Sequence, residues 1–191
     1  MKSHKDIPCA LNGVPRPFLL GLALLLAVTS ATAAVPAIGE PAPESLGRDR
    51  QGQVLSLAGA RGQVVVVTFW ASWCAPCLDE LAARENLQKR HGPAQLRVIA
   101  VNWREPLLRY RASLRQLGSV QLTLSRDEDG SVARAYGVDV VPRSFVVDRD
   151  GRLAFDNTGF ETPGGAIRLA AQISRLLAPA ADRGAHAIMP P

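Results

Sequence analysis

The chain has 191 residues, 47% of them hydrophobic, which is enough for one domain with a sizeable apolar core and short extensions. Its formal net charge is +5, but residues 1–34 hold three basic residues and one acidic residue, so the remainder carries only +3. The basic residues are scattered and aromatic residues make up only 5%, which argues against a nucleic-acid-binding surface. Three cysteines are too few for a disulfide framework; Cys9 stands alone, and Cys74 and Cys77 form a close pair.

Residues 1–34 are typical of an export signal. Lys2, Lys5 and Arg16 precede an uninterrupted apolar run, Phe18–Val28, and small residues follow it as far as Ala34. The positive charge before the run predicts that the rest of the chain lies outside the cytoplasm. Cleavage at the small residues is favoured. Because the run reaches 17 residues when it is extended to Ala34, retention as a membrane anchor stays open.

The rest of the chain is predicted to hold one domain, over residues 46–178. Prolines in residues 35–45 predict an extended linker before it, and residues 179–191 are predicted to be a disordered tail. An apolar stretch at Val54–Leu57 opens the domain. Val64–Trp70 is β-branched and aromatic, which predicts a strand buried on both faces.

The first predicted helix follows directly, at Ala75–Arg90, with its buried face expected at Leu78, Leu81, Ala82 and Leu87. The elements after it are a strand at Leu96–Val101, a helix at Pro106–Leu117 with an apolar face of Leu107, Leu108, Leu114 and Leu117, a short strand at Leu122–Leu124, a short helix at Ser131–Tyr136, a hairpin of Ser144–Asp148 and Leu153–Asn157, and a closing helix at Thr162–Leu177. This order predicts an α/β fold with a mixed sheet flanked by helices.

Cys74 and Cys77 lie between the buried strand and the first helix, with Cys74 at the helix N-terminus. Unpaired backbone N–H groups and the helix dipole stabilise a thiolate there. The thiols of Cys-x-x-Cys pairs in such settings have pKa values lowered to roughly 3.5–7.5. We therefore expect Cys74 to be the nucleophile that forms a mixed disulfide with the substrate, and Cys77 to be the resolving thiol. No cofactor or metal is expected, because the redox group is the cysteine pair itself.

The run from Phe69 to Cys77, FWASWCAPC, resembles the active-site strand and helix of the thioredoxin superfamily, and the exported branch with TlpA, ResA and CcmG fits best. A second motif, Tyr136–Phe145 with the turn at Asp148–Gly151, is similar to the family's proline loop. The resemblance covers roughly residues 55–177. It implies a thioredoxin-like fold with an extra segment, near Trp103–Tyr110, between the active-site unit and the proline loop.

The resemblance also assigns residues to the site. It implies that Pro142 is a cis-proline beside the cysteines and that the backbone of Val141 pairs with bound substrate, and it adds Trp73 to the substrate-binding residues. Two positions depart from the family pattern: Thr68 stands where thioredoxin has a buried aspartate that serves proton transfer, and Arg143 follows the proline where small or polar residues are usual.

Glu80 is the candidate replacement for that missing acid, since it lies three residues after Cys77 and resembles the acid of the TlpA and ResA branch. We expect it to accept the proton of Cys77. A solvated first-turn acid, as Asp79 is expected to be, is an equal alternative. Arg143 is expected to be solvated, with stabilisation of the Cys74 thiolate as its alternative role.

The implied function is an exported thiol–disulfide oxidoreductase that reduces disulfides of substrate proteins with electrons from a membrane thiol carrier. Cytochrome c maturation is one candidate role. Two alternatives remain open: a net oxidase, for which Val141 before the proline is a mild indication, and a redoxin that binds copper or zinc through the pair. The metal hypothesis lacks ligands, because His91 lies at the far end of the helix from Cys77. A peroxidase is disfavoured, because peroxidase sites are not centred on a Cys-x-x-Cys pair.

Overall fold

Residues 35–158 and 164–179 are described by a computed structural model. The predicted signal and residues 180–191 of the predicted tail lie outside these ranges. The strands are β1 (Ser45–Arg48), β2 (Val54–Ser56), β3 (Val64–Trp70), β4 (Leu96–Trp103), β5 (Thr123–Asp127), β6 (Arg143–Val147) and β7 (Leu153–Thr158). The helices are α1 (Ala75–His91), α2 (Leu107–Leu117), α3 (Ser131–Ala135) and α4 (Gly165–Leu177), with a short 3₁₀ helix at Leu57–Ala60. None of the helices in these ranges is long and apolar enough to cross a membrane.

All seven strands form one mixed sheet in the order β2-β1-β5-β4-β3-β6-β7. The central pairs β3–β4 and β4–β5 are parallel, and the remaining pairs are antiparallel. This is the α/β architecture with a mixed sheet that the element order predicts. In the region where the resemblance predicts an extra segment, α2 and β5 follow β4, and β5 adds a parallel strand beside β4.

The two faces of the sheet bury separate cores because side chains alternate along each strand. β3 is buried over its whole length, as predicted, and sends Val66 and Trp70 to one face but Val67 and Phe69 to the other. The first face, here called the Cys-side core, is covered by α1, α2 and α4 and contains the cysteine pair. The second face, here called the aromatic core, is covered by α3 and the 3₁₀ helix and includes Leu46 of β1.

Residues 39–45 belong to the domain, contrary to the predicted linker. Gly39 N donates to Leu153 O at 2.7 Å, Ala42 N donates to Gly151 O at 3.0 Å, and Pro41 forms a β-bridge with Arg152. The side chain of Ala42 is buried in the aromatic core. Proline cannot donate in a sheet but can lie along a sheet edge, so the prolines are compatible with this edge pairing. The folded unit therefore begins before residue 46.

The buried faces of α1 and α2 differ from the apolar patterns expected for them. On α2, Leu107 and Leu108 are exposed, whereas Tyr110 and Ser113 are buried, because the helix turns Tyr110, Leu114 and Leu117 towards the Cys-side core. Ser113 is accommodated because its hydroxyl donates to Tyr110 O at 2.7 Å.

On α1, Leu78 and Ala82 are exposed. Three polar residues lie on the buried face beside Leu81 and Leu87, namely Glu80, Arg84 and Gln88. Apolar periodicity therefore predicted Leu81 and Leu87 correctly but missed the buried polar positions, because an apolar template counts charged residues as exposed.

Candidate active site

The end of β3 and the start of α1 hold the cysteine pair. Cys74 is the N-cap of α1, where its sulfur accepts a hydrogen bond from Cys77 N at 3.2 Å, and Pro76 lies in the first turn. Cys74 and Cys77 form a disulfide, with their Cα atoms 5.2 Å apart. Cys74 is 6% exposed and Cys77 only 1%, so Cys74 is the more exposed residue of the pair.

The loop before Cys74 is held by a buried carboxylate that the sequence analysis did not single out. Ser72 donates to Glu105 twice, from its backbone N at 2.9 Å and from its hydroxyl at 2.6 Å. Asn102 Nδ2 donates to the same carboxylate at 2.6 Å. Trp73, next in the chain, is 61% exposed. The sequence did contain a signal for Glu105. Glu105 follows β4, and the loop that contains Ser72 follows β3. Because the carboxyl ends of parallel neighbouring strands meet at one edge of the sheet, the two are expected to lie close together.

A polar cluster lies on the Cys-side face of β3 and β6, beneath the first turns of α1. Glu80 is 1% exposed, so the solvated alternative for this residue is wrong. Its Oε1 accepts from Arg84 Nη2 at 2.7 Å, from Thr68 Oγ1 at 3.4 Å and from the hydroxyl of Ser144. Thr68 thus does not replace the missing aspartate as an acid, but its hydroxyl contacts the acid that the helix supplies.

The proline loop enters β6 beside the cysteine-bearing edge. The Val141–Pro142 peptide bond is cis, the conformation that the resemblance implies. Pairing of Phe69 with Arg143 brings the start of β6 level with the end of β3. Pro142 is buried, and Val141 is partly buried against the Cys-side core that contains both cysteines.

Arg143 is not solvated, contrary to expectation, and its hydrogen bonds go to residues other than Cys74. Its guanidinium donates to both carboxylate oxygens of Asp156, at 3.1 and 2.7 Å, and to Gly137 O at 2.8 Å. It also lies 5.2 Å from the ring centroid of Phe145. The hydrogen bonds to Asp156 raise the pKa of Arg143 above its already high ordinary value. Strand alternation explains this placement, since Arg143 and Phe145 face the aromatic core whereas Ser144 faces the cysteines.

No group of three or more His, Cys, Asp or Glu side chains is arranged to hold a metal ion within residues 35–158 and 164–179.

Comparison with known proteins gives a family match and named relatives. The model of the AhpC/TSA family matches residues 38–155. A thiol-disulfide oxidoreductase ResA from Geobacillus thermodenitrificans is 30% identical over 126 residues, which cover 66% of this chain and 72% of that relative. A thiol:disulfide interchange protein DsbE from Allochromatium vinosum is 32% identical over 126 residues, covering 65% of this chain and 68% of that relative.

Solved structures give the same result. A crystal structure described as a thiol:disulfide interchange protein DsbE from Chlorobium tepidum superposes with a TM-score of 0.68 at 31% identity, covering 75% of this chain and 99% of that one. A solution structure described as a protein disulfide isomerase from Bacteroides thetaiotaomicron has a TM-score of 0.65 at 25% identity, covering 80% of this chain and 97% of that one. The family match over residues 38–155 contains β1 to β6, the cysteine pair and the first half of β7.

Proposed function

The chain belongs to the AhpC/TSA family and is a thiol–disulfide oxidoreductase of the ResA and DsbE type with a thioredoxin-like fold, and on this premise we propose that it is an exported reductase of protein disulfides. The observation that carries the proposal is the position of Cys74. It caps α1, it is the more exposed cysteine, and the loop before it is hydrogen-bonded to a buried carboxylate.

The first step is attack by Cys74. In the reduced protein, the free N–H groups at the start of α1 stabilise its thiolate. The thiolate attacks one sulfur of a substrate disulfide, a bond forms between Cys74 and that sulfur, and the other substrate sulfur leaves as a thiolate that takes a proton from water.

The second step is resolution by Cys77. Its sulfur attacks Cys74 in the mixed disulfide, the Cys74–Cys77 bond forms, and the second substrate sulfur leaves with the bonding electrons. The substrate has then gained two electrons and this chain has lost two. Cys77 must give up a proton in this step, and Glu80, one turn further along the same helix face, is the proposed acceptor.

Trp73, Val141 and Pro142 are proposed to bind the substrate chain. Trp73 offers an exposed aromatic surface next to Cys74. The start of β6 offers the backbone of Val141 beside the buried Pro142, and an extended substrate segment there would pair as a further strand.

Location and electron supply complete the proposal. The signal-like residues 1–34 support placement outside the cytoplasm, with a membrane anchor if the segment is retained. Disulfides persist in that compartment, so a reductase there needs electrons from a membrane thiol carrier. Reduction of apocytochrome c before haem attachment is one role that this chemistry would serve.

Export can be tested with a reporter enzyme that is active only outside the cytoplasm, fused after residue 179. An active fusion is expected, and an inactive fusion would contradict export.

The reduction potential of the full-length protein in glutathione buffers is the decisive measurement. A reductase should titrate near the value of thioredoxin, about −270 mV, and a result near −120 mV would instead establish a net oxidase.

Cys77→Ser should accumulate a mixed disulfide with substrate, whereas Cys74→Ser should form none. Stoichiometric zinc or copper on the reduced protein, lost in Cys77→Ser and without reductase activity, would favour the metal-binding alternative.

A further inference from the structure

The buried face of α1 carries an ion pair immediately beyond the cysteines. Arg84 Nη2 donates to Glu80 Oε1 at 2.7 Å, and the two side chains are only 4% and 2% exposed. Cys77 precedes Glu80 by one turn on the same face, and Leu81 and Leu87 are buried on the same helix. Two opposite charges therefore lie inside the core that contains the redox disulfide.

Stability alone is a poor explanation for this pair. Removing two charges from water offsets most of their mutual attraction, and well-packed apolar side chains in their place are often equally stable. The same helix has a second pair at the same spacing, Glu85 and Lys89, 2.9 Å apart with Lys89 half exposed. Lys89 of that pair reaches solvent although Glu85 is only 16% exposed, so the cation there is far less desolvated than Arg84. The burial of Arg84 beside the reacting group points to a chemical role.

The contacts of Glu80 distinguish its two oxygens. Oε1 accepts from Arg84, Ser144 and Thr68, whereas Oε2 is buried with no hydrogen-bond partner among the described residues. The groups that face Glu80 from β3 and β6 are uncharged hydroxyls, and α4 contributes apolar side chains such as Leu169 to the same core. Within the part of the chain that the structure describes, Arg84 is the charged group that pairs with Glu80.

We propose that Arg84 is a positioning residue for the proton transfer from Cys77, an inference that rests on the proposed function. Arg84 compensates the charge of the Glu80 carboxylate inside the core and holds Oε1, so that Oε2 is the oxygen that receives the proton. As the Cys77 sulfur bonds to Cys74 and the substrate thiolate leaves, the Cys77 proton passes to Oε2. Without Arg84, the buried carboxylate would have no charged partner in the core and Oε1 would no longer be held, so Oε2 would no longer be positioned for the Cys77 proton.

The test follows the two steps separately in the reduced full-length protein, with an aromatic disulfide whose released thiolate is coloured. The first equivalent of thiolate reports attack by Cys74, and the second reports resolution by Cys77. Arg84→Met should leave the first phase unchanged and slow the second by at least about tenfold at neutral pH, with the deficit shrinking as the pH rises. Glu80→Gln should slow the same phase, and the double variant should lose no more than either single variant.

Two controls separate charge from packing. Arg84→Lys keeps the cation and should retain most of the second-phase rate. Lys89→Met makes the matching change at the half-exposed cation of the second pair and should alter neither phase. If Arg84→Met fails to fold, Arg84→Gln, which keeps a hydrogen-bond donor without the charge, takes its place. A second phase with the wild-type rate and pH profile in the folded variant would overturn the role of Arg84 while both thiolates are still released. Failure of the wild-type protein to release any thiolate would instead overturn the proposed function.

Discussion

The two faces of the central sheet differ in how many of their buried polar groups are hydrogen-bonded. On the aromatic side, the tyrosine hydroxyl of Tyr136 donates to Pro43 O at 3.0 Å, and Arg143 is fixed by both oxygens of Asp156. On the Cys side, Tyr110 OH, Trp70 Nε1, Glu80 Oε2 and Arg84 Nε are buried without a hydrogen-bond partner among the described residues. On the aromatic side the same holds for the hydroxyl of Ser125, which lies opposite Val101, so the unsatisfied groups are more numerous on the Cys side but not confined to it. Unsatisfied buried groups are destabilising and cluster where chemistry needs them.

Residues that are adjacent in the chain lie on opposite faces of the sheet and have different partners. Thr68 and Ser144 face Glu80, whereas their neighbours Phe69 and Phe145 pack against Tyr136. One position along a strand thus decides whether a residue serves the redox site or the fold. Substitutions on the aromatic side should change the free energy of unfolding but not the reduction potential, and substitutions on the Cys side should change the chemistry.

Phe145→Ala should have the largest effect on stability. Phe145 is 2% exposed, and its ring centroid lies 5.1 Å from that of Tyr136 and 6.1 Å from that of Phe69. Truncation of such a side chain lowers the free energy of unfolding by about 3–5 kcal/mol, measured by urea denaturation. Phe145→Leu keeps most of the volume and should lose less. A shift of the reduction potential in the folded Phe145→Leu variant would show that the aromatic side also influences the chemistry of the cysteine pair.

Glu105→Gln should have a smaller effect on stability and a direct effect on the chemistry. The Glu105 carboxylate now accepts hydrogen bonds from Ser72 and Asn102, and in the variant one of its oxygens is replaced by an NH₂ group that cannot accept them. The loss of these bonds should reduce the free energy of unfolding by about 1–3 kcal/mol. The loop that carries Cys74 should loosen, so attack on an aromatic disulfide should slow.

Glu128→Gln is the control for Glu105→Gln, because it removes the same charge from a side chain that is 67% exposed and whose amide oxygen can still accept from Arg126. It should change stability by less than about 1 kcal/mol and leave the attack rate unchanged. Equal attack rates in all three proteins would show that the carboxylate of Glu105 has no part in holding the loop for reaction.

Motifs and periodicity predicted most of the fold and the centre of the site. The strand that is buried on both faces, the Cys-x-x-Cys turn and the hairpin follow from residues close together in the chain. The sequence did not show that residues 39–45 pair along the sheet edge, because that pairing depends on the distant β7. Glu105 and Arg84 were missed for a related reason: a buried charge looks solvated until the partners that compensate it are placed in space.

The two buried tyrosines offer the finest test of the comparison. Tyr136→Phe removes a hydrogen bond to Pro43 O and should reduce the free energy of unfolding by about 1 kcal/mol at neutral pH. Tyr110→Phe removes a hydroxyl that has no partner in the described part of the chain, so stability at neutral pH should be unchanged or slightly higher. A matching loss in both variants, measured by urea denaturation, would mean that the Tyr110 hydroxyl is hydrogen-bonded in solution.

The pH dependence of the free energy of unfolding gives a second measurement on Tyr110. Burial raises the pKa of Tyr110 from 10.0 to about 12, with the nearby Arg50 and Arg126 opposing the rise. Between these values the unfolded chain loses the phenolic proton while the folded chain keeps it, so ionisation favours unfolding as the pH rises. Tyr110→Phe removes this contribution, and its stability relative to wild type should therefore increase across the same range. A constant difference between the two proteins from neutral pH to about pH 12 would show that the hydroxyl reaches water, which would remove Tyr110 from the unsatisfied groups on the Cys side.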